Sequence, residues 1–291
     1  MINVYEAILA DPTYFKQLTV RDGLLVNYQC PQMEEWVDLY SHLNHIIYTV
    51  GGKKQLAGSG KSYLLTEGKL IFLKKGAMRQ GKFFNVDWRT IVFCVPDSYL
   101  QQLFKEYRAQ SVLPLLPFQE TDPVIEISTN NITHAYFYGL LPYFTQQPPP
   151  SESLLELKCR ELVFNMFSHP ENTAFLAYLK SVSDYSKPPL TEIMEANYLF
   201  NLSLEEFAKI SQRSLTVFKK DFAETFHNTP GKWLLQKRLD YAQLLLTSSQ
   251  KNINEIVYEC GFESTTHFSR VFKEKFGMAP LQYRKQLTSA E

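Results

Sequence analysis

Two short stretches in the last third of the chain combine hydroxyl-bearing and basic residues at helical spacing. The first stretch contains Thr216, Lys219, Lys220 and Ala223. The second repeats the spacing fifty residues later with Thr266, Ser269, Arg270 and Lys273. Positions i, i+3, i+4 and i+7 share one face of an α-helix. Such a face can bond base edges in the major groove of DNA, because Arg and Lys donate to guanine and hydroxyl groups donate or accept.

Each basic stretch must be carried by a helix that follows a short, capped helix. Ser203 with Glu206 forms a capping box, and Asn252 with Glu255 forms a looser version of one. The turns that follow are aligned as Ser211-Gln212-Arg213 and Gly261-Phe262-Glu263. A short capped helix, a tight turn and a second capped helix form a helix-turn-helix. The two predicted units span about residues 203–226 and about residues 252–276.

Apolar residues fill the opposite face of each second helix. Phe218 and Phe222 recur fifty residues later as Phe268 and Phe272, which predicts the buried side. A serine precedes each of these helices as the expected N-cap, so backbone amides and a positive dipole end would lie near phosphate. The alternative is an ordinary helical bundle whose charged residues simply face solvent. Because two matching stripes recur in register, this alternative is the weaker interpretation.

Pro230 and the residues after it predict the connection between the units. Proline is favoured at the first position of a helix, and the helical pattern continues to about Thr247. A helix of roughly 17 residues is about 26 Å long at 1.5 Å per residue. A rod of that size would hold two reading helices about one DNA turn (~34 Å) apart. One chain would then occupy two successive major grooves.

The C-terminal third resembles the AraC/XylS family of bacterial transcription regulators. The resemblance rests on residues 261–264, 268–273 and 277–284, and it covers about residues 190–286. Within the connector, Arg238-Leu239, Ala242 and Leu245-Leu246 also fit the family pattern. The first unit departs from that pattern, because its turn has no glycine and Trp233 stands where Tyr or Phe is commoner.

The resemblance implies a function and the residues that perform it. A sequence-specific transcription regulator, expected to be an activator, would bind double-stranded promoter DNA and act with RNA polymerase. No catalytic residue, cofactor or metal is expected. By position, the family reads bases with residues matching Thr216, Lys219, Lys220, Thr265, Thr266, Ser269 and Arg270. Lys273 extends the second stripe and completes the predicted DNA-binding set.

The first part of the chain is predicted to be rich in strands. Short segments between residues 45 and 96 are rich in β-branched or aromatic residues and are separated by glycine turns. This pattern is typical of an all-β sandwich or barrel. Residues 67–72 and 75–76 look like the cupin-like domains common in the family. The expected fold class is therefore α+β: an N-terminal cupin-like β-barrel followed by helices, then an all-α domain with two helix-turn-helix units joined by a linker helix.

The pattern changes to helices after Pro96. Asp97 can cap a helix to about Ala109. Further helices are predicted over about residues 131–146, interrupted at Pro142, and then over about residues 151–167 and 172–183. The helix at 151–167 is similar to the helical dimerisation part of the ExsA-type subgroup, so a homodimer through this helix is expected. Its apolar set is Leu154, Leu155, Leu157, Leu162, Val163 and Met166.

These elements give the expected domain organisation. An N-terminal regulatory domain (1–183) has strands over about 1–96 and a helical dimerisation part over about 97–183. A linker at 184–189 leads to an AraC-type DNA-binding domain (190–291) with its connector helix at 230–247. The regulatory domain would receive either a small-molecule effector, as in sugar-type relatives, or a regulatory protein partner, as in the ExsA-type subgroup.

Composition constrains the location and the partners. The 291 residues contain 30 basic and 30 acidic side chains, and this balance taken alone argues against a nucleic-acid binder. The basic residues of the two stripes nevertheless concentrate positive charge locally, so the overall balance does not exclude DNA. Because the chain has little surplus positive charge, its nonspecific affinity for DNA is expected to be weak at physiological salt. No apolar run is long enough for a membrane span and no signal peptide is recognisable. Four scattered cysteines are typical of reduced thiols in a cytoplasmic protein.

Two interpretations from other functional classes remain. A metal-dependent cupin enzyme would need a complete set of His and Glu ligands, but His42 and His45 have the wrong spacing and His134 is distant. A DNA-repair protein with the same C-terminal module would need a cluster of metal-binding cysteines. Cys30 and Cys94 are too isolated in the sequence for that cluster.

Overall fold

The computed structural model describes residues 1–30, 34–58, 61–84, 86–110, 122–184 and 187–288. The chain divides into two compact units, Met1–Pro189 and Leu190–Glu291. Of the predicted linker at 184–189, residues 185 and 186 lie outside the described part. Within the described residues, no helix combines the length and the apolar character needed to cross a bilayer.

The described residues of the N-terminal unit form two β-sheets. One sheet has the order β1-β4-β9-β6-β7 and the other has the order β11-β8-β5-β10-β3-β2. Except for the parallel pair β1–β4, all the strand pairs in them are antiparallel. The strands are β1 (Ile2–Asn3), β2 (Lys16–Val20), β3 (Gly23–Gln29), β4 (Trp36–Ser41), β5 (Asn44–Gly51), β6 (Lys53–Gly58), β7 (Lys61–Thr66), β8 (Leu70–Leu73), β9 (Gly76–Gly81), β10 (Arg89–Val95) and β11 (Val124–Ile127).

Central strands of the six-stranded sheet are buried on both faces. On β5, Ile47 belongs to the core cluster shared with the other sheet, whereas Ile46 and Tyr48 belong to a second cluster with the helices. The same alternation separates Val92 from Phe93 on β10. Successive side chains of a strand point to opposite faces, so one strand serves both cores. This is why every residue of β5 is buried.

Helices cover the outer face of the six-stranded sheet. They are α2 (Asp97–Gln110), α3 (Asn131–Leu140), α4 (Glu152–Ser168) and α5 (Thr173–Asp184), and a shorter helix, α1 (Val4–Ala10), follows β1. The Ser151 hydroxyl caps α4 by accepting from the Leu154 amide. Pro142 lies in a single 3₁₀ turn at Leu141–Phe144, so the regular helix predicted over 131–146 ends at Leu140.

Most of the apolar set of α4 lies inside its own unit. Leu155, Leu162 and Val163 are at most 2% exposed and pack in the core beneath the sheet. Leu157 is 62% exposed and faces away from that core. The leucine pattern that suggested an intersubunit seam is therefore largely explained by internal packing, and homodimerisation through this helix stays a prediction.

The C-terminal unit consists of helices throughout its described part. These are α6 (Leu190–Asn197), α7 (Leu204–Ile210), α8 (Leu215–Phe226), α9 (Pro230–Ser248), α10 (Ile253–Glu259), α11 (Thr265–Phe276) and α12 (Pro280–Thr288). A β-sheet unit with helices followed by an all-helical unit confirms the predicted α+β class.

Candidate nucleic-acid interface

Capping boxes begin the first helix of each helix-turn-helix. At α7 the Ser203 hydroxyl accepts from the Glu206 amide at 3.2 Å, and the Glu206 carboxylate accepts from the Ser203 amide at 2.7 Å. At α10 the corresponding distances between Asn252 and Glu255 are 3.0 and 2.7 Å. Both boxes are complete, so Asn252 with Glu255 is a full capping box rather than the looser version predicted.

Both first helices end in a Schellman motif. In the first unit the Gln212 amide donates to the Lys209 carbonyl at 3.1 Å and the Arg213 amide donates to the Ala208 carbonyl at 2.9 Å. The second unit repeats these bonds from the amides of Gly261 and Phe262, at 3.1 and 3.0 Å.

Gln212 therefore corresponds to Gly261, and the turn alignment made from the sequence is wrong by one residue. The first helices of the two units lie 49 positions apart, since their N-caps are Ser203 and Asn252. The second helices lie fifty apart, since their N-caps are Ser214 and Ser264. The extra residue in the second turn is Glu263, whose carboxylate accepts from the Asn201 side chain.

The two helix-turn-helix units differ in which residues occupy their left-handed backbone positions. Gly261 and Gly277 occupy these positions in the second unit, with φ of 75° and 80°. At Gly261 a β-carbon would clash with the carbonyl oxygen of Leu199, so that turn requires glycine. The first unit places Gln212 at φ 56° and His227 at φ 49°. It therefore carries backbone strain that the second unit avoids.

Replacing His227 with glycine is expected to stabilise the C-terminal unit by about 0.5–1 kcal/mol. The left-handed conformation costs an L-residue roughly 1–2 kcal/mol, and the entropy of an added glycine offsets part of the gain. The His227 side chain is exposed, so little packing is lost. Urea unfolding of the full chain, followed in the C-terminal unit by hydrogen exchange, measures the change.

Gly277→His provides the reciprocal control in the second unit. A β-carbon at Gly277 meets no atom within 4 Å, so only the backbone conformation is tested. The free energy of unfolding of this variant is expected to fall by about 1 kcal/mol. A destabilised His227→Gly variant would show that glycine entropy outweighs the strain.

The second helices bury one face and expose the other. Phe218 and Phe222 on α8, and Phe268 and Phe272 on α11, are all 0% exposed. Of the predicted DNA-binding residues, Ser269 is half-buried and the rest are exposed: Thr216, Lys219, Lys220, Thr265, Thr266, Arg270 and Lys273. The structure thus brings each set together on the outer face of one helix. Contact of these residues with bases stays a prediction.

Glu274 was not among the predicted site residues. Its carboxylate lies 3.6 Å from the guanidinium of Arg270, one helical turn away, and both side chains are more than 60% exposed. Glu224 occupies the equivalent place relative to Lys220 on α8. Within the described residues no ion pair joins Lys220 to Glu224. The i, i+4 spacing of Arg270 and Glu274 was the available signal in the sequence.

The connector α9 packs against both helix-turn-helix units of the C-terminal unit. Near its start, Trp233 contacts the rings of Phe222 and Phe226, with centroids 6.1 and 5.1 Å apart. Tyr283, fifty residues later on α12, contacts Phe272 and Phe276 of the second helix-turn-helix in the same way. The 19 residues of α9 correspond to about 28 Å at 1.5 Å per residue. The helix begins at Pro230, the proline predicted for its first position.

Arg238 fixes the middle of the connector to two distant segments. Its guanidinium donates to the carbonyl oxygens of Tyr198 at 2.7 Å, Phe200 at 2.8 Å and Gly261 at 2.9 Å. Burial lowers the pKa of this guanidinium from its ordinary value. The bond to Gly261 positions the turn that leads into α11.

The N-terminal unit contains a cavity between its two sheets. Its volume is about 290 Å³, and most of the lining is apolar, including Leu43, Ile47, Leu56, Met78 and Trp88. His45 also borders the cavity, and its Nε2 atom lies 3.0 Å from the Ser41 hydroxyl. Burial lowers the pKa of His45 to about 4, so this ring is neutral at neutral pH.

The three histidines considered as metal ligands have separate surroundings. His42 contacts the ring of Tyr5 edge-on at 5.2 Å, and the Nδ1 atom of His134 lies 2.8 Å from the Tyr48 hydroxyl. Across the described ranges, no group of three or more His, Cys, Asp or Glu side chains is arranged to hold a metal ion.

Comparisons with known proteins match both units. The family described as "ExsA N-terminal regulatory domain" matches residues 44–178, and the family described as "Helix-turn-helix domain" matches residues 207–286. The thermoregulatory protein LcrF of Yersinia pestis is 26% identical over 257 residues, which cover 86% of this chain and 94% of LcrF.

Two further similarities extend over most of the chain. The virulence regulon transcriptional activator VirF of Yersinia enterocolitica is 26% identical over 240 residues, which cover 80% of this chain and 86% of VirF. The crystal structure of ToxT from Vibrio cholerae has a TM-score of 0.42 and 16% identity, and the match covers 92% of this chain and 96% of ToxT.

Proposed function

The chain belongs to the AraC/XylS family of bacterial transcription regulators, and we propose that it activates transcription by reading promoter DNA with α8 and α11. The observation that carries this proposal is the exposed, partly basic stripe that each of these helices presents opposite a buried phenylalanine pair. The stripes recur at the same register in two helix-turn-helix units. Two such helices in one chain suit two successive major grooves.

The proposed base contacts follow from the chemistry of each side chain. Arg270 has a planar fork that suits O6 and N7 of guanine, whereas Lys219, Lys220 and Lys273 act as point charges. The remaining set consists of hydroxyl side chains that bond bases or phosphates: Thr216, Thr265, Thr266 and Ser269. The Ser214 and Ser264 N-caps leave backbone amides at the helix starts for phosphate.

Replacing Arg270 with alanine is expected to weaken binding to the preferred DNA site by about 1–3 kcal/mol, as for the loss of one bidentate base contact. Arg270 is exposed and supports no buried packing, so the variant should fold normally. The preferred site is selected from random-sequence duplexes with the full chain. Affinities for that site and for random DNA are then compared by fluorescence anisotropy.

Specificity at one base step should relax in this variant while binding to random DNA changes less. Lys232→Ala, at an exposed position on the connector that belongs to neither stripe, is the control and should change neither affinity by more than a small factor. Equal losses on the selected site and on random DNA would show that Arg270 contacts only phosphate. The absence of any preferred site for the intact chain would overturn the proposed function itself.

Activation is supported by relatives such as VirF, whose name describes a transcriptional activator. The partner that activation requires is RNA polymerase, and a cytoplasmic location follows from that role. The family assignment also makes a metal-dependent enzyme a poor account of the N-terminal unit. The Ser41 hydroxyl beside His45 gives this histidine a structural environment instead.

The cavity between the sheets supports a small-molecule signal. A volume of about 290 Å³ approaches the lower range of small-ligand sites, and its lining suits an apolar effector better than a sugar. A regulatory protein partner is the alternative source of the signal. Homodimerisation through α4 is a separate proposal, for which Leu157 is the exposed apolar residue available for the contact. The cavity favours the small molecule, whereas the match of residues 44–178 to the ExsA N-terminal regulatory domain favours the protein partner.

A further inference from the structure

Glu274 stands where helix stability alone would disfavour it. It lies two residues before the end of α11, and the C-terminal end of a helix carries partial negative charge. The order Arg270 then Glu274 is also the less stabilising arrangement of an i, i+4 pair. Both side chains are more than 60% exposed, so the pair contributes little to folding. Its effect must be sought in the proposed contact with DNA.

The position of Glu274 has two consequences for DNA binding. Its carboxylate lies 3.6 Å from the guanidinium, close enough to attract the Arg270 side chain along the helix axis before any contact with a base. It also places a negative charge beside the residue that would otherwise bind any phosphate. If Arg270 reads a base, only the repulsion would act on random DNA, whereas on the preferred site the alignment of Arg270 would compensate for it.

We propose that Glu274 is a specificity-determining positioning residue, which aligns Arg270 for guanine and weakens its attraction to random DNA. This proposal rests on the proposed function. It fits a chain with 30 basic and 30 acidic residues, in which nonspecific attraction to DNA is already weak. The neighbouring Lys275 pairs with Asp240 of the connector, whereas Glu274 pairs with Arg270.

Glu274→Gln tests the proposal with almost no change of shape. At low salt the variant should bind random duplexes about threefold more tightly, because one charge near phosphate is removed. Its affinity for the selected site should stay nearly unchanged, so the ratio of the two affinities falls about threefold. The midpoint temperature of thermal unfolding should be unchanged or slightly higher, which separates this effect on binding from a loss of structure.

Glu224→Gln is the matched control. It removes the same charge at the equivalent register of α8, where the described structure has no pair with Lys220. This variant should raise both affinities alike and leave their ratio unchanged. An equal fall of the ratio in both variants would overturn the proposal, because charge alone would then explain it. An unchanged ratio in Glu274→Gln would overturn it as well.

A double-mutant cycle with Arg270→Ala decides whether Glu274 acts through Arg270. In the Arg270→Ala background, Glu274→Gln should change the two affinities by the same factor. A ratio that still falls would show that Glu274 contacts DNA on its own and would overturn the positioning role. If the intact chain does not distinguish the selected site from random DNA, the proposed function fails, and that outcome is visible before any variant is made.

Discussion

Replacing Asp97 with alanine is expected to destabilise the N-terminal unit by about 3–5 kcal/mol. Asp97 begins α2, and its Oδ2 atom lies 2.7 Å from the ammonium of Lys75. The two side chains are only 2% and 4% exposed. Without this carboxylate the ammonium would stay buried away from water, and removing one member of a buried ion pair costs far more than the pair itself contributes.

Asn44 extends this ion pair into a network. Its amide donates to the other Asp97 oxygen at 2.6 Å, while its carbonyl oxygen accepts from the Lys75 amide at 3.1 Å and the Tyr178 hydroxyl at 3.2 Å. Strand β5, the start of α2 and helix α5 are thereby joined at one buried point. Replacing Asp97 should therefore also destabilise α5, so hydrogen exchange of its backbone amides would accelerate together with that of β5.

Asp122→Ala is the matched control for Asp97→Ala. Asp122 also pairs with a lysine at 2.7 Å, but the side chains of Lys61 and Asp122 are 59% and 43% exposed. Its loss should cost less than about 1 kcal/mol. Adding Lys75→Met to Asp97→Ala should recover part of the stability, because it removes the buried charge. A double variant less stable than the single one would show that lost packing, rather than the buried charge of Lys75, dominates.

Local signals made the C-terminal unit readable from its sequence. The capping boxes, the serine N-caps and Pro230 each act within four residues, so the sequence reports them directly. The phenylalanine pairs fix which face of each second helix is buried. The one-residue error in the turn arose because Gln212 adopts a left-handed conformation that the sequence gives no reason to expect.

Long-range contacts account for what the sequence did not reveal in the N-terminal unit. Strand β11 was not predicted, because its four residues form a strand only by pairing with β8, some fifty positions earlier. Asp97 was recognised as a helix start, but its buried partner Lys75 lies in a Lys-Gly turn that is typical of a surface. Pairing and burial of this kind depend on tertiary contacts and leave no periodic signal.

Arg238 shows the same limit within the readable unit, and its replacement has the second large expected effect. The sequence marked it as part of a family pattern, yet its three acceptors lie 40, 38 and 23 positions away. A residue on a regular helix gives no indication that its guanidinium donates to three distant carbonyl groups.

Arg238→Ala is expected to destabilise the C-terminal unit by about 3–5 kcal/mol. Hydrogen bonds to a charged group contribute roughly 1.5–3 kcal/mol each and are not additive. The truncation also removes the donor to the part-buried carbonyl oxygens of Tyr198 and Gly261, whereas the Phe200 carbonyl oxygen still accepts from the Leu202 amide at 2.9 Å. Arg238→Lys should lose less, because an ammonium can still reach one or two of the acceptors but lacks the planar fork. Hydrogen exchange of the full chain should locate the loss in α9 and in the turn at Gly261.

The same variant separates stability from recognition. Arg238 donates to the turn that orients α11, so Arg238→Lys should weaken binding to the selected DNA site even at temperatures where the unit stays folded. Lys232→Ala on the same helix is the control and should change the unfolding free energy by less than about 0.5 kcal/mol. If Arg238→Ala unfolds at the same denaturant concentration as this control, the three carbonyl bonds do not stabilise the unit. The orientation of α11 would then depend on the buried phenylalanines alone.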